Sequence, residues 1–444
     1  EEPSVDVRPA DNDSIRINLH GQPTQDHVLE YSSDLKNWEP LLSLRLPSSP
    51  FQWNDPLVPN RGSGFYRLLQ WPGSAPREEA ADFRLIDHEG RTQHLHYYNF
   101  QKAIVLFFTD PDTDSSLGAI LTALKNSFGA QAVEFWVIDP VSENRSELVT
   151  TAETWQTDVP ILHDPAQVVS RAYQVDRGTE AVVIDTGSWS VFYRGAIERP
   201  AVDGSPAQTY LSDALTAFFA GQPSTYRHTP ATGDPLPLAP TEAVSYKEVI
   251  APMIIESCVR CHSPNNIAPF SLDSYESLAS WAHEIREVTL TGEMPPWFAD
   301  PEFGSYEDDW SLSEESLRAL VDWIEQGALK GDGADPLADF VANTPPPSEY
   351  PFNWPSELGE PDMILTIPSQ SIPANGEVDY RYIELRPDIP ANTYLRAAIL
   401  KPGNPEVVHH SLAFIGSTFE AFIQGAGLNG YFAGYVPGIQ ANPF

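Results

Sequence analysis

Three stretches rich in proline and glycine cut this 444-residue chain into blocks, and no regular element can run across them. They are Trp71-Pro-Gly-Ser-Ala-Pro76, the segment 221–243 with its five prolines, and the segment 331–361, which contains Pro345-Pro346-Pro347. Proline fixes φ and lacks a backbone donor, so such segments are extended boundaries between folded elements. No repeat at a solenoid or propeller period is visible. A multidomain chain is therefore expected, with a β-rich module over 1–75, an α/β domain over 77–222, a helical domain over 244–330 and a β domain over 360–444.

In the first block, short apolar runs alternate with turn residues, as in Ile15-Arg-Ile-Asn-Leu19, Val28-Leu-Glu-Tyr31 and Phe65-Tyr-Arg-Leu68. This predicts a small β-sandwich. It holds no catalytic constellation, so an interaction or spacer role is expected. In the second block, buried-type strands at 103–108, 133–138 and 181–185 alternate with helical stretches near 117–128 and 167–173. That order predicts an α/β sheet. Asp110, Asp112 and Asp114 alternate in a loop after the first of these strands. Clustered carboxylates suit a hard cation, although a solvated acidic loop is the plainer reading.

Cys258-Val-Arg-Cys261-His262 holds the only two cysteines of the chain. Two thiols three positions apart lie on one face of a helical turn, where they can add to the two vinyl groups of one haem. The following histidine is then carried under the iron as its proximal ligand. A disulfide would close only a tiny loop and leave His262 without a role. A thioredoxin-type pair would follow a strand, whereas this motif follows the helical-looking run 249–255. A zinc site would need a second Cys/His pair nearby.

The sixth iron ligand can be sought among three methionines. Met253 is tied to the proximal helix, and Met363 lies beyond a proline-rich segment. Met294 sits in Gly292-Glu293-Met294-Pro295-Pro296-Trp297, where a helix gives way to a loop stiffened by prolines. That setting favours ligation over a role as core filler. His283 is the rival and would give bis-histidine iron. Further on, Leu317, Leu320, Val321 and Ile324 form an amphipathic helical stripe, with Ser311 and Glu314 expected as its capping box and Gly327 as its stop. Pro252 is expected to kink or restart the helix that leads to Cys258.

Acidic residues outnumber basic ones by 62 to 26, a formal charge of −36. This argues against nucleic acid and anionic membranes as partners. Acidity can steer a basic redox partner, but it also simply keeps a surface solvated. No apolar run has the length of a membrane span. Because c-type haem is attached outside the cytoplasm, an extracytoplasmic location with a removed signal peptide is expected.

Segment 244–328 resembles the mono-haem cytochrome c domain of large secreted bacterial proteins that also carry a copper monooxygenase-like module. The likeness rests on Cys258–His262, Ala268-Pro-Phe-Ser-Leu272, Met294-Pro-Pro-Trp297 and Ser311-Leu-Ser-Glu-Glu315. It implies an all-α cytochrome c fold in which Pro269 and Trp297 line the haem pocket. Phe298 stands where the family often has a histidine. The second block resembles the thioredoxin-like fold of peroxiredoxins through Ala81-Asp-Phe-Arg-Leu85 and Asp158-Val-Pro-Ile-Leu162. The family's reactive cysteine is replaced by the segment 109–116, and its usual proline is lost near Thr179. With no thiolate there is no nucleophile, so this domain is expected to be inactive as a redoxin. Elements of the first block, 31–38 and 64–68, resemble a β-module of secreted bacterial proteins.

The last block alternates as strands at 362–367, 378–385 and 394–400, followed by Val408-His409-His410-Ser411. It resembles the amino-terminal domain of ascorbate-dependent type II copper monooxygenases. The likeness implies that His409 and His410 are two ligands of one copper. Adjacent residues on a regular strand face opposite ways, so joint ligation requires a bulge or a different ring nitrogen. The third ligand and the second copper domain would come from a continuation of the chain or from a second polypeptide, or the module has decayed. Two functions stay open. One is single-electron transfer through a His/Met haem c, serving a redox partner of the copper monooxygenase type. The other is a non-catalytic scaffold within a secreted redox assembly.

Overall fold

The structure is a computed structural model. It describes residues 2–9, 15–56, 64–72, 77–111, 116–199, 207–300, 303–306, 309–345, 354, 356–390, 392–416 and 430–437. The first block forms six strands: β1 (Ser4–Pro9), β2 (Ile15–His20), β3 (Asp26–Ser32), β4 (Glu39–Arg45), β5 (Phe51–Asp55) and β6 (Phe65–Gln70). β1-β2-β5 make one antiparallel sheet, and β6-β3-β4 begin another. Alternate residues of the two sheets, Ile17, Leu19 and Trp53 against Leu29, Leu42, Leu44 and Leu68, share one core. This is the sandwich that the alternation predicts.

The second sheet does not stop there. β7 (Arg84–Asp87), β8 (Thr92–His94), β9 (Ala103–Phe108), β10 (Val133–Asp139), β11 (Ile161–His163), β12 (Glu180–Asp185), β13 (Ser190–Ala196) and β14 (Tyr226–His228) extend it to eleven strands. Their order is β6-β3-β4-β14-β13-β12-β9-β10-β11-β7-β8. β9, β10 and β11 are parallel, and β12 returns antiparallel beside β9. Every residue of β9 is buried, as a strand covered on both faces requires. Ala103, Val105 and Phe107 join a core with α1 (Leu117–Phe128), α2 (Arg145–Trp155) and α4 (Tyr210–Phe219), with α3 (Val168–Ala172) lying between α2 and α4 in sequence. Ile104, Leu106 and Phe108 join a second core with Trp136, Ile138 and the α3 residues Val168 and Val169.

The segment 221–243, expected to be extended, contributes β14 to the sheet. Its pairing with β4 and β13 joins the β-module to the α/β half, and Leu236 is buried further along the same segment. Proline excludes long ladders, but a three-residue strand between Pro223 and Pro230 escapes that restriction.

The third block supplies α5 (Ala251–Ser257), α6 (Val259–His262), α7 (Tyr275–Ser280), α8 (Ala282–Leu290) and α9 (Glu314–Glu325). A further helix, α10 (Pro336–Asn343), forms inside the segment 331–361, expected to be extended, and its proline falls in the first turn. Two compact units result, one of residues 1–242 with 284–321, the other of 243–283 with 322–444. The segment read as one domain over 244–330 is thus shared. In the first unit, Leu290 and Val321 lie in the same core as Ile104 and Trp136. The α9 cap is Ser313, whose Oγ accepts from Ser316 N at 3.1 Å, whereas Ser311 Oγ donates to Asp309. Gly327, at φ +91°, ends the helix as expected.

In the second unit a π-helical turn, Tyr246–Ile250, precedes α5, and Pro252 falls in the first turn of that helix, where its missing N–H costs nothing. The strands expected at 362–367, 378–385 and 394–400 are not formed. Ile364, Tyr380 and Tyr394 are more than two-thirds exposed there, at 81%, 75% and 92%. The only ladder among the described residues of this block pairs β15 (Ser411–Phe414) with β16 (Tyr431–Tyr435). No helix among the described residues is long and apolar enough to cross a membrane.

Candidate functional site

Cys258 closes α5, its N–H donating to Ile254 O at 2.9 Å. The carbonyl of Cys258 then accepts from Cys261 N at 3.1 Å and from His262 N at 2.9 Å. Both thiols and the imidazole therefore ride on a single turn. Beyond His262 the chain folds back on this turn. Ala268 N donates to Cys261 O at 3.3 Å, Leu272 N to His262 O at 2.7 Å, and Asn266 Nδ2 to Arg260 O at 2.8 Å.

The doubling-back brings Phe270 O to 3.1 Å from His262 Nδ1. A carbonyl only accepts, so Nδ1 carries the hydrogen and the lone pair sits on Nε2, the nitrogen left to bind a metal. Metal-binding histidines are commonly oriented by such a bond. Phe270 is itself held by stacking on Trp281, with ring centroids 4.1 Å apart and planes 17° from parallel. Burial lowers the His262 pKa, outweighing the bond to Phe270, and so favours the neutral imidazole. Burial foremost, then the neighbouring Cys261 thiol, pushes Cys258 up to about 12, and burial raises Cys261 as well. These protonated thiols are not bonded to each other. Raised pKa values leave little of either thiol as thiolate at neutral pH.

The other expected site residues fall as follows. Met294 belongs to the first unit and is 42% exposed, while Met253 is buried in α5. Trp297 is half-buried beside Tyr306 and Trp310, at centroid distances of 5.8 and 6.3 Å. Pro269 and His283 are exposed. His409 and His410 precede β15 rather than lying on a regular strand, which frees them from opposite-face geometry. Their Nδ1 atoms converge to 3.2 Å. Two imidazole nitrogens on one ion, at bonds of about 2.0–2.1 Å and a tetrahedral angle, stand roughly 3.3 Å apart. The separation is that of a hydrogen bond between the two rings and also matches the spacing of two ligands on one ion, and no group of three metal-binding side chains exists among the described residues. Asp110 is described, but Asp112 and Asp114 lie outside the described residues. The orienting role of Phe270 was not legible in the sequence, because a backbone carbonyl carries no side-chain signature.

No family model matches the chain, and no curated protein does. Several solved structures match part of it. A hypothetical protein of Sinorhizobium meliloti is 18% identical over 37% of this chain and 95% of its own, with a TM-score of 0.34. Peroxidoxin BcpB of Mycobacterium tuberculosis is 22% identical over 32% of this chain and 96% of its own, with a TM-score of 0.25. The thioredoxin domain of a thiol-disulfide oxidoreductase of Bacteroides vulgatus is 13% identical over 27% of this chain and 86% of its own, with a TM-score of 0.24.

Proposed function

We propose that this chain is an extracytoplasmic electron-transfer protein carrying one haem c, and that it serves an oxidoreductase of the copper monooxygenase type. The observation that carries the reading is the bond between His262 Nδ1 and Phe270 O, made on the same turn that presents Cys258 and Cys261. It fixes the tautomer a proximal ligand needs, in a motif whose two thiols have no other partner in the sequence. Cys258 and Cys261 would hold the haem covalently, His262 would be its proximal ligand and Met294 its distal one. When bound, haem supplies a single-electron couple between ferric and ferrous iron. The chain's own part is to orient the imidazole, shield the thiols and present a thioether. With His262 and Met294 both given to the haem, its chemistry would be electron transfer rather than substrate binding.

His409 and His410 fit two positions of a copper shell and leave it incomplete, so no catalytic step is derived from them. A redox partner, or a second polypeptide that completes the copper domain, is the expected recipient or donor of the electron.

The test is spectroscopic. Protein made with the cytochrome c maturation machinery should keep its haem through acid-acetone extraction and show a sharp c-type α-band when reduced. The double substitution Cys258→Ser and Cys261→Ser should release the haem. Haem that stays bound in that variant would refute covalent attachment. Met294→Ala should lose low-spin character but keep the haem, and an unchanged spectrum would reassign the distal ligand to His283.

A further inference from the structure

The loop after α8 is gripped on both sides of Met294 by arginines of the cysteine-free α/β half. Arg84, on β7, donates from Nη2 to the carbonyl of Gly292 at 2.9 Å, and its guanidinium lies 4.9 Å from the centroid of the Phe298 ring. Arg145, which opens α2, binds Asp300 through Nη1 at 2.8 Å and faces the Phe303 ring at 5.6 Å. Arg145 and Asp300 are 8% and 18% exposed, so this ion pair is shielded from the screening that weakens surface pairs.

Gly292 makes the first grip feasible. Its φ of +62° is a left-handed value, and a Cβ there would overlap Arg84 Nη2. Only glycine lets the guanidinium reach that carbonyl. Glu293 N and Met294 N both donate to Val288 O, at 2.8 and 3.0 Å, which closes the end of α8 immediately before the thioether. The loop is thus fixed at Gly292, Phe298, Asp300 and Phe303, while the Met294 side chain remains presented rather than packed.

We infer that the α/β half, having no thiol chemistry, serves as the seat of the Met294 loop, with Arg84 and Arg145 as positioning residues for the distal ligand. The inference rests on Met294 as the second axial ligand. A thioether is a weak ligand to ferric iron and yields to added imidazole, so the ease of displacement reports how firmly the loop holds it. Hydrogen bonds to charged groups are among the stronger local ties, and losing one should change that equilibrium roughly tenfold.

The test titrates imidazole into the ferric holoprotein and follows the thioether-to-iron charge-transfer band. Arg84→Gln and Arg145→Gln should each lower the imidazole concentration for half-displacement about tenfold, and should lower the reduction potential. Phe298→Leu and Asp300→Asn, which leave both arginines in place, guard against a folding defect and should act in the same direction. In a Met294→Ala background, Arg84→Gln should change nothing further. Unchanged displacement in the four single variants, with the band present in the wild type, would overturn the positioning role and leave the ligand assignment intact. A Met294→Ala protein with an unaltered spectrum would overturn both.

Discussion

His228 makes the strand that joins the two halves of the long sheet sensitive to acid. It ends β14 and stands opposite Ser43 of β4 on one side and Arg194 of β13 on the other. Burial first, then the Arg194 cation, lowers its pKa from 6.5 to about 4. The folded protein therefore keeps this imidazole neutral, while the unfolded chain takes up a proton below about pH 6.5. Between those values the unfolded state binds more protons, so stability is full above pH 6.5 and is lost as pH falls toward 4. At pH 5 the loss is roughly 2 kcal/mol, an upper figure because the ring is only partly shielded from water. For a unit of this size that corresponds to about 4–8 °C in Tm. Calorimetric melts at pH 7.5 and 5.0 of the wild type and of His228→Gln, which cannot titrate, isolate the term. The wild type should lose about 4–8 °C more than the variant, and hydrogen-exchange protection, corrected for the intrinsic rate, should fall first in 226–229 at pH 5.0. Parallel losses in the two proteins would show that His228 does not couple protonation to this seam.

The same seam should not tolerate Gly195→Ala. Gly195 has φ +130°, and a Cβ there would overlap the Thr229 carbonyl oxygen. Urea unfolding should show a cost of roughly 3 kcal/mol or more. In the second unit, Asp335 accepts from Tyr246 Oη at 2.5 Å, Tyr275 N at 2.7 Å and Leu337 N at 3.1 Å. Asp335→Ala should cost about 2 kcal/mol at pH 7 by the same assay. Burial alone would raise the Asp335 pKa, but these bonds outweigh it and lower the value below 3.8. The difference between wild type and variant should therefore persist down to about pH 4 and shrink only below that. Copper(II) added to the chain should show two coordinated nitrogens by electron paramagnetic resonance, and one after His410→Ala. An identical spectrum in that variant would remove the histidine pair from consideration.

Where the sequence was legible, the reason is local. The run Ala103–Phe108 is apolar at every position, and only a strand covered on both faces satisfies it. Leu117–Phe128 carries a helical stripe and folds as written. The capping box failed by two residues because Ser311 and Ser313 are chemically equivalent there, and Asp309 captures the first of them. Tyr226–His228 was hidden for another reason. Three residues between prolines carry no periodicity, and their strand exists only because β4 and β13 offer free edges on either side. The two thiols and His262 of the candidate site could be named from spacing alone. Which nitrogen of His262 is left to bind metal could not, since that depends on where Phe270 O returns after the turn.

The last block shows what alternation cannot decide. Residues 378–382 alternate apolar and polar as β2 does, yet β2 lies in a ladder and 378–382 does not. An apolar face gains its roughly 25 cal/mol per Å² only when another layer covers it, and a single strand leaves its backbone groups to water. β2 has β1 and β5 beside it and the β3–β4 layer over it. Among the described residues no sheet covers Tyr380 or Tyr382, which are 75% and 61% exposed. Pattern fixes which side of a strand would be buried. Whether the strand forms depends on a neighbouring strand and on a layer to cover it.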